Sequence, residues 1–138
     1  MSDVHDKKTR SFNMSRIRSK DTKPEILVRK YLFAKGFRYR LHDKKLPGKP
    51  DLAFPKYKTV IFVHGCFWHG HEGCKYFVIP KTRRKWWVNK ITRNKQLDAK
   101  HAANLRAAGW KIINVFECRL RPKHRDRTLN QIAMRLAE

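Results

Sequence analysis

Thr59-Val-Ile-Phe-Val63 and Trp110-Lys-Ile-Ile-Asn-Val-Phe116 are apolar on both faces, as strands of a covered sheet must be. Between them a helical pattern runs from Thr82 to Ala108 and stops at Gly109, a natural cap. Strand, long helix and strand make a crossover unit, so the two strands are expected to be parallel neighbours in the middle of the sheet. Towards the N-terminus, Pro50-Asp-Leu-Ala-Phe54 reads as a short strand closed by Pro55. Phe37-Arg-Tyr-Arg-Leu41 alternates with period two, a strand with one solvated face. Thr22, Pro24 and Glu25 supply a cap hydroxyl, an early proline and a first-turn carboxylate for a helix ending at Gly36. Towards the C-terminus, a basic stretch from Arg119 to Arg127 leads into a short amphipathic helix carrying Leu129, Ile132, Met134 and Leu136. The pattern predicts one mixed α/β domain over residues 22–138, preceded by a basic arm over residues 1–21.

The chain has 138 residues, and its 34 Lys+Arg against 11 Asp+Glu leave a net charge of +23. That length suits a single domain, and 41% hydrophobic residues suffice for a core. No stretch approaches the ~20 apolar residues of a transmembrane helix. The first residues lack the apolar run of a secretory signal, so a cytoplasmic location is expected. So large a charge on so small a body points to a polyanion, nucleic acid before a membrane surface. Residues 75–97 hold eight Lys and Arg and no carboxylate. Any acid beside such a surface needs a reason, and metal binding is the obvious one.

Cys66 and Cys74 bracket His71, and Cys118 follows the second of the two apolar strands. Parallel neighbours end on the same sheet edge, so the four should meet as a closed Cys3His set, the pattern of structural zinc. The alternative is that the cysteines are ordinary small core residues. His64 and His69 remain in the same loop, beside Asp51, and suit general acid and base work. Phe67 and Trp68 lie between them and can stack on or insert between bases. In the arm, Met14 and Ile17 share one face of a helical turn, either as a small contact onto the core or as an apolar wedge for a base step.

Taken together, Asp3-Val-His-Asp6, Leu46-Pro-Gly-Lys-Pro-Asp51, Val60-Ile-Phe-Val-His-Gly-Cys-Phe-Trp-His69, Trp87-Val-Asn-Lys-Ile-Thr-Arg-Asn94, Gly109-Trp110 and Phe116-Glu-Cys118 resemble the very-short-patch-repair (Vsr) DNA mismatch endonuclease family. The resemblance implies a restriction-endonuclease-like (PD-(D/E)xK-type) α/β fold, a mixed central sheet flanked by helices with a structural zinc site. It implies a magnesium-dependent hydrolase that nicks one strand of duplex DNA at a T:G mismatch and so initiates very short patch repair. By matching position it makes Asp51 the magnesium carboxylate and Val63 a magnesium ligand through its backbone carbonyl. His64 and His69 become catalytic imidazoles, with His69 the base that activates water. Glu25 helps hold metal-bound water, and Asn94 is a polar residue near the site. Cys66, His71, Cys74 and Cys118 match the zinc ligands, and Met14, Ile17, Phe67, Trp68 and Trp87 the DNA-wedging residues. Two departures stand out: Val63 replaces a usual Thr, and the loop before Cys74 is one residue longer, with Gly70 and Gly73 in a stretch usually rich in His. The expected setting is a monomer acting on nucleoid DNA, with other repair proteins and one or two magnesium ions. The competing readings are a same-fold endonuclease or nickase acting on fully paired DNA, and a catalytically silent DNA-binding module.

Overall fold

A computed structural model describes residues 22–66, 69–71, 73–75 and 77–138. The expected arm over residues 1–21 lies outside them. Helix α1 spans Lys23–Ala34, and the hydroxyl of its cap residue Thr22 accepts from the Glu25 N–H at 3.4 Å. The strands are β1 (Arg40–Leu41), β2 (Leu52–Phe54), β3 (Thr59–His64) and β4 (Lys111–Phe116). Helix α2 (Arg84–Ala107) joins β3 to β4, and α3 (Arg125–Ala137) ends the chain. Short 3-10 turns at Pro55–Tyr57 and Glu117–Leu120 follow β2 and β4. Among the described residues no helix is long and apolar enough to cross a membrane.

The sheet order is β1-β2-β3-β4, antiparallel over the first two pairings and parallel between β3 and β4. The crossover expectation is therefore met. The expectation that both apolar strands are central is met only by β3; β4 is the edge among the described residues. An apolar run reports covered faces, and the two helical layers cover β4 without a further strand beside it.

Period two sorts the strand residues between those layers. Leu52, Phe54, Ile61, Ile113 and Val115 meet Val28 and Leu32 of α1 and Leu129, Ile132 and Leu136 of α3 in one cluster. Ala53, Val60, Phe62 and Ile112 face the other way, towards Leu105 of α2 and Trp110. Met134, expected in the apolar stripe of α3, is instead 62% exposed. The strand expected over residues 37–41 shrinks to Arg40–Leu41. Phe37 and Tyr39 do alternate inward, but they pack edge-on against Phe54 rather than extend the ladder. His42 then adopts φ 49° and ends the strand.

Candidate active site

The ladder between β2 and β3 stops at Leu52–Ile61, leaving the Val63 N–H beyond it. The Asp51 carboxylate accepts that N–H at 2.7 Å. Glu25 reaches the same place from the first turn of α1 and is almost fully buried, with its Oε2 held at 3.0 Å by Arg29 and 3.1 Å from His42 Nε2. The His42 backbone N–H donates to the Asp51 carbonyl at 3.1 Å. Ligand atoms of Glu25, His42 and Asp51 all lie within 4.8 Å of one another, a group able to hold a metal ion. Burial, aided by the neighbouring Glu25 and opposed by the Val63 N–H and His42, raises the Asp51 carboxyl to about 6.

His64 ends β3 on the α2 side, the same parity as Val60 and Phe62, and so meets residues of matching parity on β4. Its ring stacks over Phe62, lies against Phe116, and places Nε2 2.8 Å from Asn114 Oδ1. A carbonyl oxygen only accepts, so Nε2 of His64 carries the proton in that contact. Burial lowers the His64 pKa, with the neighbouring His69 acting in the same direction. His69 lies with its ring centroid 4.3 Å from that of His64, and its Nδ1 donates to Asp98 Oδ2 of α2 at 2.6 Å. Asp51, Val63, His64, His69, Asp98 and Asn114 all line one cleft of about 450 Å³. Gly70 allows the loop to lie against α2: a Cβ there would stand 2.7 Å from Ile91 Cγ2.

Cys66, His71, Cys74 and Cys118 also converge, their ligand atoms within 4.8 Å of one another. The backbone N–H of Cys118 donates to Cys66 Sγ at 3.4 Å, Cys118 Sγ is 3.5 Å from His71 Nδ1, and the His71 ring stacks on Phe116 at 3.9 Å. Burial pushes the Cys66 thiol up to about 12 and raises Cys118 as well. A soft cation reverses that preference by binding the thiolates, and three sulfurs with one imidazole suit such an ion.

Other expected site residues fall elsewhere. Asn94 sits on α2 one turn before Asp98, on the same helix face, but is not among the residues lining the cleft. Trp87 is half-buried near the start of α2, its ring edge-on to Trp86. Met14, Ile17, Phe67 and Trp68 lie outside the described residues. Three members of the site escaped the sequence reading. Asn114 had a signal, as the single amide in an apolar strand. Asp98 had a weaker one, four residues after Asn94 along a helical stripe. His42 had none.

Residues 2–75 match the family model described as DNA mismatch endonuclease Vsr. The type II nicking enzyme V.NmeAIP of Neisseria meningitidis is 51% identical over 123 residues, 89% of this chain and 87% of that protein. The type II nicking enzyme V.XorIIP of Xanthomonas oryzae pv. oryzae is 46% identical over 120 residues, 87% and 88% of the two chains. The DNA mismatch endonuclease Vsr of Escherichia coli is 42% identical over 125 residues, 91% and 80%. A carboxylate and two imidazoles in one cleft, together with these similarities, define a DNA endonuclease. The chain belongs to the Vsr family.

Proposed function

We propose that this endonuclease nicks one strand of duplex DNA at a T:G mismatch, with magnesium at Asp51 and structural zinc at the Cys/His cluster. The observation that carries the reading is the convergence of Asp51, His64 and His69 on one cleft. Asp51 and Glu25 fit a hard divalent cation: two carboxylates share a buried site in which Glu25 resists the ionisation of Asp51. Val63 fits too, because a carbonyl ligand needs no side-chain hydroxyl. Bound there, magnesium supplies charge neutralisation at the phosphoryl group and the leaving 3′ oxygen. With Nδ1 committed to Asp98, His69 presents Nε2 as the acceptor for a proton from the attacking water. Asn114 fixes His64 in the opposite tautomer, so its Nδ1 accepts from that water or, once protonated, donates to a phosphoryl oxygen. The mixed sheet with these groups at the ends of β3 and β4 is the core of a restriction-endonuclease-like fold on this reading. The arm before Thr22 and the basic stretch from Lys75 to Gln96 grip the duplex, while Phe67, Trp68, Met14, Ile17 and Trp87 enter a mispaired step that unstacks cheaply.

The names of the relatives favour a second reading, nicking without a strict need for the mismatch. A panel of otherwise identical duplexes carrying T:G, T:A or C:G at one position, with magnesium, separates the two. Single-strand cleavage confined to T:G supports the first reading and cleavage of T:A or C:G the second. Binding with no cleavage of any duplex, in magnesium or manganese, would overturn both.

A further inference from the structure

The metal reading uses Asp51 and Glu25 and leaves His42 without a task, although its imidazole is the third side chain of the same group. Three elements deliver that group. Glu25 comes from the first turn of α1, Asp51 directly precedes β2, and His42 directly follows β1. The register that pairs Arg40 with Ala53 and Leu41 with Leu52 sets His42 opposite Asp51, and the His42 N–H donating to the Asp51 carbonyl continues it by one step. Side chains opposite one another on neighbouring strands are within reach of each other. His42 holds this place with φ 49°, a left-handed conformation that Gly or Asn takes at lower cost. The backbone therefore gives little reason for an imidazole here, and the reason lies in what the side chain meets.

That side chain turns inward. It is 22% exposed, and its Nε2 lies 3.1 Å from Oε2 of Glu25, itself 1% exposed. The distance has two explanations. As a hydrogen bond from Nε2 it would make His42 a brace for Glu25. It is also the separation of two adjacent ligands of one ion, since ligands about 2.1 Å from an octahedral cation stand about 3 Å from their neighbours. The hydrogen bond accounts for two of the three side chains. The ion accounts for all three, because an Asp51 oxygen lies within 4.8 Å of both other atoms. Glu25 remains able to ligate while Arg29 donates to it, since a carboxylate offers about four lone-pair positions. Ligand type then bears on the ion. Carboxylates alone suit magnesium, whereas an imidazole nitrogen favours first-row transition ions over it.

We propose that His42 is a nitrogen ligand of the divalent ion at Asp51, completing a set of two carboxylates and one imidazole that takes manganese or another first-row transition ion in preference to magnesium. The inference rests on the metal placed at Asp51 under the proposed function, and not on the mismatch or the strand that is cut.

The test gives the full, zinc-loaded chain Mn2+ alone, with and without a pre-nicked duplex, and reads the bound ion by pulsed electron paramagnetic resonance. Manganese stands lowest in affinity among these transition ions, so a preference seen with it is the most conservative measure. The parent should show a coordinated imidazole nitrogen, and growth on 15N-histidine should alter that signature. His42→Gln should lose the signature and at least ~10-fold in Mn2+ affinity, a loss that even indirect partners of a metal ligand cause. Its Mg2+ affinity, read by competition, should change far less. Melting temperature and zinc content, measured without manganese, report on folding. If His42→Gln melts well below the parent or loses zinc, the signature is sought instead in His64→Gln/His69→Gln/His101→Gln, which removes the described imidazoles lining the cleft, and there it must survive. Two failures are distinguishable. Mn2+ that binds the parent and not Asp51→Asn, but shows no imidazole nitrogen or one that persists in His42→Gln, sinks the proposal and leaves the metal at Asp51 standing. Mn2+ that binds in neither condition, or equally well to Asp51→Asn, removes the metal reading along with it.

Discussion

Asp51 is a carboxylate whose ionised form the fold disfavours, and that has a measurable consequence for stability. Its carboxyl rises from 3.8 to about 6, chiefly through burial. Above pH 6 the metal-free fold therefore carries a penalty of roughly 3 kcal/mol at most, which disappears below about pH 4, where the group is protonated both folded and unfolded. Asp51→Asn removes the charge and keeps an acceptor for the Val63 N–H. The metal-free variant should melt several degrees higher than the parent at pH 7 and no higher at pH 3.5, while cleavage is lost. Equal melting temperatures at pH 7 would show that Asp51 carries no such penalty. Asp98 makes the opposite case, since its side chain is 38% exposed and its contribution lies in the tautomer of His69. In Asp98→Asn, an amide N–H can donate to Nδ1 and so move the proton to Nε2, where a base is needed. Cleavage should fall by at least ~10²-fold, approaching the loss in His69→Ala, with stability within about 0.5 kcal/mol of the parent. Normal turnover in that variant would remove the dyad from the reaction.

The parallel register of β3 and β4 is what assembles both sites. His64 pairs with Phe116, so Cys66 and Cys118 each follow the last pair by two residues and meet above the sheet edge. The loop from His64 to Cys74 is rich in Gly, His and Cys, and a bound ion would replace hydrophobic packing as its source of order. Chelation, or Cys118→Ala, should release one equivalent of zinc, lower the melting temperature markedly and expose the Lys75–Arg84 segment to trypsin. A zinc-free sample of unchanged stability would refute a structural role. This geometry was largely legible in the sequence, because an apolar strand, a long helix and an apolar strand have one common connection and fix which loop ends face each other. The lateral place of β4 was not legible, because apolar periodicity reports the faces of a strand and not its neighbours. Phe37 and Tyr39 misled for a related reason: alternation marks which side chains turn inward, whether or not the backbone pairs. Asp98 stayed hidden because its partner His69 lies 29 residues away, and a half-exposed acid on a charged helix looks like a solvated one.

At the scale of the whole molecule, the charge of +23 acts through the ionic atmosphere of the duplex rather than through any one contact. Each cation that meets a phosphate releases counterions, so affinity should fall as a power of the salt concentration. If six to ten phosphates are met, between 50 and 200 mM salt the loss is ~10³–10⁵-fold. The chemical step should behave differently. The carboxylate and imidazoles lie in a cleft where His64 is buried and Asp51 and His69 are largely so, and short-range contacts there are screened far less than exposed charges. Single-turnover nicking at saturating protein should therefore change little over the same range, while half-saturation moves by orders of magnitude. A nicking rate that falls in parallel with affinity would mean that the surface cations also shape the transition state, and the division between a cationic grip and a compact catalytic cleft would not hold.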